Sequence, residues 1–307
     1  MNIFIQFKYG IWALTFLLIQ LSANLSAAPH IIAHRGGGQN YPENTLLAFF
    51  QSIEMGCKGI ELDVQVTKDD VVVVYHPTDL SICTNGSGTV SSKNWDEIVT
   101  LDSGYNFEPN NNYPLRGKGL TVPKFSDVLK LFPEALIIVD LKSSDYEKLL
   151  LALTNTITES DAERLVFYST NSKPIEWLNE FKPHWQTFET RDSTRFRLLE
   201  LNHSNETSLP LSPSWIGFEL KRTMQIKETF TLGEGLSTIE FRLWKPQVVF
   251  QLKNSYHQPK LVLFGINTKE DWEEACQLDV DMVYTDNPKR IVELLNKPPV
   301  AFDKDCG

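Results

Sequence analysis

Two rhythms of apolar residues alternate along this chain. In "HIIAH", "GIELDVQVT", "VVVVYH" and "LIIVDLK" they are continuous or recur at every second position, the period of a β-strand. The stretch "NTLLAFFQSIEMG" instead sets Leu46, Leu47, Phe49, Phe50 and Ile53 at helical spacing and stops at Gly56. Further strands are predicted at "LVFYST", "WQTFET", "WIGFEL", "LVLFGIN" and "MVYTD", most of them separated by helical or mixed segments. Repeated β-then-α units imply a parallel sheet. About eight strand candidates and one extra exceed a typical open sheet and suit a closed (β/α)8 TIM barrel of the α/β class. "NFEPNNNYPLRGKG" reads as loop. Residues 220 to 246, with "GEGLSTIEFRLW", break the alternation and are expected to be an insertion or an irregular unit. No internal repeat and no linker divides the chain, so one domain is expected.

Ahead of the first strand, Lys8 precedes the uncharged 12-residue stretch "GIWALTFLLIQL" and the small-residue segment "SANLSAA". A positive start, a short apolar core and small residues at its end describe a secretory signal. The core falls short of the ~20 residues that a membrane span needs. Export to the periplasm or the medium is therefore expected, with a signal peptide over residues 1–28, the barrel over 29–300 and a tail over 301–307. An uncleaved anchor is the alternative, because Pro29 directly follows the expected cut at Ala28. Across its 307 residues the chain carries a net charge of −10. That argues against nucleic acid as a partner, but not against a phosphate met by local cations or a metal. Cys57, Cys83, Cys276 and Cys306 show no zinc-like spacing. Cys57, just before a strand, reads as a buried small hydrophobe.

The sharpest chemical signal is "GIELDVQVT". Residues two apart on a strand share a face, so Glu61, Asp63 and Gln65 point one way while Leu62, Val64 and Val66 point the other. In a barrel the apolar side packs on helices and the polar side faces the interior. Carboxylates forced together there need a cation. Hard oxygen ligands favour one divalent ion, Mg2+ or Ca2+, over zinc. In "LIIVDLK", Asp140 and Lys142 share a face at the end of their strand, where function gathers in such barrels. Asp140 would complete a three-carboxylate site, and Lys142 would set a positive charge beside it. His34 and His76 also stand at strand ends, a pairing suited to general acid–base chemistry. Arg35 offers a planar fork for phosphate oxygens. The glycines of "HRGGG" lack both the dinucleotide and the P-loop spacing. They are expected to turn the backbone over the site, with Asn44 or Thr45 capping the next helix.

In order and spacing, "AHRGGGQNYPENTLLAF", "GIELDVQVTKDDVVVVYH", "LRGKGLTVPKFSDVLKLFP", "IIVDLK" and "VDMVYTDNP" resemble the glycerophosphodiester phosphodiesterase family. The similarity is good over roughly residues 31 to 142 and near 280 to 290, and looser between. The resemblance implies a barrel that uses a divalent cation to hydrolyse glycerophosphodiesters to glycerol 3-phosphate and an alcohol. It implies His34 and His76 as the acid–base pair, and Glu61, Asp63 and Asp140 as the metal ligands. Arg35 and Lys142 would contact the phosphate, and Glu43 would support Arg35 or the metal. In one mechanism of this family type, a neighbouring hydroxyl of the substrate attacks phosphorus and water then opens the cyclic phosphate.

This chain departs from the family pattern in three places. Pro77 follows the second histidine where the family usually has aspartate, and Asp140 stands where glutamate is common. Near the seventh strand, Phe264, Gly265, Ile266 and Asn267 replace W-T-V-N, leaving Phe264 as the aromatic platform for substrate. The expected partner is thus a small-molecule or lysolipid phosphodiester. A lysophospholipase D or sphingomyelinase D activity, with peripheral membrane contact, is the alternative. Apolar residues exposed around the barrel mouth, or a retained anchor, would favour it. A non-catalytic phosphodiester-binding barrel is a third reading, opposed by the presence of both histidines and all three acids.

Overall fold

The structure, a computed structural model, describes residues 28–204, 215–231 and 233–295. The signal-peptide reading, all but its last residue, lies outside the described residues, as do the tail and Cys306. In chain order the strands are β1 (His30–Ala33), β2 (Gly59–Val66), β3 (Val72–Val74), β4 (Leu136–Leu141), β5 (Leu165–Tyr168), β6 (Gln186–Thr187), β7 (Trp215–Glu219), β8 (Arg222–Phe230), β9 (Gly233–Phe241), β10 (Lys260–Phe264) and β11 (Met282–Thr285). Eight of them form a parallel sheet in the order β6-β5-β4-β2-β1-β11-β10-β7. A parallel bridge between Phe188 and Trp215 joins its two ends, giving the expected barrel. A principal helix follows each barrel strand: α1 (Leu46–Glu54), α2 (Phe125–Leu131), α3 (Tyr146–Thr156), α4 (Ser172–Phe181), α5 (Arg191–His203), α6 (Pro246–Lys253), α7 (Lys269–Leu278) and α8 (Pro288–Leu295).

The period of two decides which residues fill which layer. Leu62, Val64 and Val66 of β2, Val139 of β4 and Phe167 of β5 pack outward against the helices. Ile32, Ile138, Val166, Phe188, Trp215, Val262 and Met282 meet inside the barrel. Their burial closes the barrel interior below the polar residues at the strand ends. "WQTFET" contributes only the two residues of β6, so the β6–β7 seam is the thinnest part of the wall. Trp215 thickens it by donating its indole N–H to the Gln186 side chain at 3.0 Å.

The extra strand is "VVVVYH". β3 folds back antiparallel on β2, pairing Val72 with Val66 and Val74 with Val64, and takes no part in the barrel wall. The chain then makes an excursion over residues 75–124 with its own small core of Val73, Tyr75, Leu80, Val90, Ile98 and Val122. The break at residues 220 to 246 is an insertion. β8 and β9 form an antiparallel hairpin that leaves from the C-terminal end of β7. Met224, Ile226, Phe230 and Ile239 line one face of that hairpin, all four exposed. No helix among the described residues is long and apolar enough to cross a membrane.

Gly59 opens β2 opposite Leu136 of β4, and a Cβ there would stand 2.2 Å from the Leu136 carbonyl oxygen. Gly59→Ala must push these two strands apart. It is expected to cost about 1–3 kcal/mol, read as a drop in the thermal unfolding midpoint. An unchanged midpoint would show that the β2–β4 contact has slack.

Candidate active site

The C-terminal ends of β1, β2 and β4 converge on one acidic cluster. Asp63 and Asp140 are partners in the β2–β4 register, and Glu61 lies two residues before Asp63 on the same face. Their side chains are buried, and one carboxylate oxygen from each lies within 4.8 Å of the others. Burial drives the pKa of Glu61 up, and the neighbouring Asp63 adds to the shift. Burial likewise raises Asp140, with Lys142 opposing. Oδ1 of Asp63 and Oδ1 of Asp140 are buried without a hydrogen-bond partner. Orphaned acceptors in a repelling, all-oxygen trio are what a hard divalent cation relieves. Asp140 reaches the cluster even though it is one carbon shorter than the glutamate common in the family.

Two cations already lean on this cluster. Lys142, directly after β4, places Nζ 2.6 Å from Asp140 and 3.6 Å from Asp63. Burial alone would lower its pKa, but Asp140 and Asp63 raise it. Arg35 sits 3.3 Å from Asp63 through Nε and donates its backbone N–H to Glu61 at 3.0 Å. That backbone bond depends on an unusual turn. Arg35 is left-handed (φ 52°), and Gly36 (φ 76°) and Gly37 (φ 88°) continue it. A Cβ on Gly36 would meet Ala48 and Phe49 of α1 at 2.7 and 2.8 Å. Gly38 is not in that region, and a Cβ there would find only ordinary contacts. Two of the three glycines therefore carry the turn.

The two histidines flank the cluster in different electrostatic settings. His34 donates from Nδ1 to Asp286 at 2.6 Å, while its Nε2 lies 3.8 Å from Glu61. Burial alone would lower its pKa, yet Glu61 and Asp286 outweigh that and raise it to about 9. His76 faces Glu43 through Nδ1 at 3.4 Å and Arg35 Nη2 through Nε2 at 3.1 Å. Arginine only donates, so Nε2 of His76 is the acceptor and its proton sits on Nδ1. Glu43 also accepts from Arg35 Nη1 at 3.1 Å. Burial would raise Glu43, but the hydrogen bonds from His76 and Arg35 bring its pKa down to about 2. Glu43 thus supports Arg35 and His76 and stands outside the acidic trio.

Pattern reasoning missed several supports. Asp286 follows the last barrel strand, and Asn267 donates to its second oxygen at 2.8 Å. Its only signal was its place in "VYTDNP" after a strand end. Gln65 was noted for its face alone. Its amide donates to the carbonyls of Tyr75, His76 and Pro77 at 2.9, 3.2 and 2.9 Å. This amide holds the His76 loop beside Pro77. Asn44 does not cap α1; Thr45 does, accepting from the Ala48 N–H. Asn44 donates to Asp63 Oδ2 at 2.9 Å and accepts the Asp63 N–H at 3.2 Å, tying the glycine loop to β2. Phe264 stacks on Tyr284 with centroids 4.5 Å apart, forming the aromatic wall beside the site.

The sequence profile of the glycerophosphoryl diester phosphodiesterase family matches residues 34–290. An uncharacterized protein of Mycobacterium tuberculosis is 34% identical, over 85% of this chain and 87% of its own. The crystal structure of its glycerophosphoryl diester phosphodiesterase domain superposes with a TM-score of 0.77 at 31% identity, over 88% of this chain and 100% of that one. A glycerophosphodiester phosphodiesterase of Caldanaerobacter subterraneus subsp. tengcongensis is 28% identical over 87% of this chain and 98% of its own. At the level of fold alone, a phosphodiesterase of Oleispira antarctica, solved with the product sn-glycerol-3-phosphate, gives a TM-score of 0.65 at 20% identity, over 88% and 98% of the two chains. From the profile match and this degree of likeness, the chain belongs to the glycerophosphoryl diester phosphodiesterase family and is a phosphoric diester hydrolase.

Proposed function

We propose that this enzyme hydrolyses soluble glycerophosphodiesters to glycerol 3-phosphate and an alcohol, with His34 and His76 exchanging the protons. The observation that carries this reading is two imidazoles in different hydrogen-bonding settings, His34 on Asp286 and His76 between Glu43 and Arg35, beside a buried trio of carboxylates. His76 presents an unprotonated Nε2 and suits the base that draws a proton from the attacking hydroxyl or water. His34, held by Asp286 through Nδ1 and raised in pKa by the carboxylates around it, suits the acid that protonates the departing alcohol oxygen. Arg35 beside His76 and Lys142 beside Asp63 and Asp140 would hold the phosphate oxygens. Glu61, Asp63 and Asp140 would bind one Mg2+ or Ca2+ ion. When bound, such an ion supplies fixed positive charge for the phosphoryl oxygens. Phe264 and Tyr284 would exclude water from one side of the diester. The sn-glycerol-3-phosphate bound by the Oleispira antarctica neighbour supports the choice of product.

A second reading, a lysophospholipase D or sphingomyelinase D type of activity on lipid phosphodiesters, is favoured by one feature. The β8–β9 hairpin at the mouth exposes Met224, Ile226, Phe230 and Ile239 on a single face, an arrangement suited to a lipid surface.

Phosphorus NMR of the products from glycerophosphocholine, glycerophosphoethanolamine and lysophosphatidylcholine should show glycerol 3-phosphate from the first two. Turnover confined to lysophosphatidylcholine would transfer the assignment to the lipid reading. In the same assay, His34→Ala and His76→Ala should each lower kcat by about 100- to 10,000-fold while the circular dichroism spectrum is kept. Full activity in either would remove it from the proton-transfer pair. Chelator treatment should abolish turnover, and added Mg2+ or Ca2+ should restore it; indifference to chelator would rule out the cation role of the trio.

Glu43 yields a pH prediction. Its carboxyl is depressed to about 2 from an ordinary 4.5, so its contribution is complete above pH 5. It is lost as pH falls through the interval down to about 2. Glu43→Gln should therefore lower stability by about 3 kcal/mol at neutral pH, and the gap from wild type in unfolding midpoint should narrow below pH 4.5 and close as pH reaches about 2. A gap that stays constant with pH would show that the Glu43 charge is not what matters.

A further inference from the structure

Across the mouth from the acidic trio stands a second group of charged side chains that the proposed reaction does not use. Tyr168 ends β5, Arg191 opens α5 and Glu219 ends β7. Tyr168 is the register partner of Asp140, so this group continues the rim directly from the trio. Arg191 donates from Nη1 to the Tyr168 hydroxyl at 2.9 Å and pairs through Nη2 with Oε1 of Glu219. Its guanidinium lies 4.7 Å from the Phe218 ring centre. Oε2 of Glu219 is buried and has no hydrogen-bond partner. Phe264 meets Tyr168 edge-on at 5.6 Å and borders the group on the side of the site.

A charged pair at the thin β6–β7 seam has an obvious structural role, but the seam has other ties. Trp215 bonds Gln186, and the Glu189 N–H donates to the Trp215 carbonyl at 2.9 Å. Arg197, almost fully buried, fastens Glu189 to α5 through three hydrogen bonds. Arg191 and Glu219, by contrast, keep 16% and 30% of their side chains exposed, and one carboxylate oxygen lacks a donor. Buried polar atoms are rarely left in that state without a use.

We propose that Arg191 and Glu219 form the subsite that recognises the alcohol portion of the substrate, and that they select alcohols bearing free hydroxyl groups. The inference rests on the glycerophosphodiester reading. Once the partly exposed Glu219 side chain turns its unpartnered oxygen toward the mouth, a hydroxyl donates to it and accepts from the neighbouring guanidinium, so a polyol satisfies both members of the pair at once. Because the two charges cancel, the pair has no net attraction for the quaternary ammonium of choline or for a second phosphate. The ring edges of Tyr168 and Phe264 would face the carbon skeleton of the polyol.

The test compares kcat/KM of the full chain on glycerophosphoinositol, glycerophosphoglycerol and glycerophosphocholine, for wild type, Glu219→Ala and Glu219→Gln. Wild type is expected to favour the two polyol diesters, and Glu219→Ala should cut the polyol-to-choline ratio by at least about tenfold. Glu219→Gln, which keeps the shape and removes the charge, should reduce the same ratio and covers the case in which the alanine variant fails to fold. Ratios in the variants equal to wild type would overturn the inference, and so would wild-type turnover with no polyol preference. Wild-type silence on all three diesters would overturn the proposed reaction itself, an outcome distinct from either.

Discussion

The structure depends on one electrostatic constraint: three carboxylates share a buried space at the end of β2 and β4. Loss of hydration and the nearby carboxylates both oppose ionisation of Glu61 and Asp140. Nearly every unusual feature nearby answers that constraint. Lys142 reaches back over the strand end to Asp140 and Asp63. Arg35 adopts a left-handed conformation that aims its backbone N–H at Glu61, and two glycines continue the turn where α1 leaves no room for a Cβ. Asn44 spends both ends of its amide on Asp63. Two carboxylate oxygens remain unsatisfied after all of this. The trio is therefore organised for a charge larger than its own neighbours supply.

The same constraint separates the two imidazoles. His34 stands against the trio through Glu61 and is anchored on Asp286, so it holds its second proton well past neutrality. His76 is a strand's width away. There, Nδ1 faces the Glu43 carboxylate, which accepts from it, and Arg35 donates to Nε2. One arginine thus touches a trio member, the carboxylate that orients His76, and His76 itself. A phosphate that draws Arg35 toward itself would free Nε2 of His76 to accept a proton. On the proposed roles, substrate binding and the availability of the base would be linked through a single guanidinium.

Much of this was legible in the sequence, for a definite reason. A period of two places Glu61, Asp63 and Gln65 on one face whatever the rest of the fold does, and strand ends after apolar runs mark His34 and Asp140. Features set by contacts between distant segments were not legible. Asp286 lies 252 residues from the histidine it orients, and nothing local distinguishes it from any aspartate that ends a strand. Gln65 gave its face away but not its three carbonyl partners, because these belong to a loop whose path the pattern leaves open. "VVVVYH" has stronger strand character than "WQTFET", yet the former pairs antiparallel outside the barrel and the latter closes it. Apolar content predicts a strand and leaves its partner undetermined.

The barrel is chemically lopsided, and that lopsidedness bears on where specificity can arise. On the β1, β2 and β4 side, Arg35, Glu43, Lys142 and Asp286 are all engaged with the trio, with a histidine or with one another. On the β5 to β7 side, the wall is thinner, the hairpin insertion departs from it, and the Arg191–Glu219 pair retains unused hydrogen-bonding capacity. The three departures from the family pattern follow that division. The Pro77 carbonyl accepts from Gln65, and Asp140 still reaches the trio. Phe264 alone borders the second side, where it meets both Tyr168 and Tyr284. On the proposed roles, a barrel divided in this way would keep its chemistry on one half of the rim and leave the other half to vary with the alcohol.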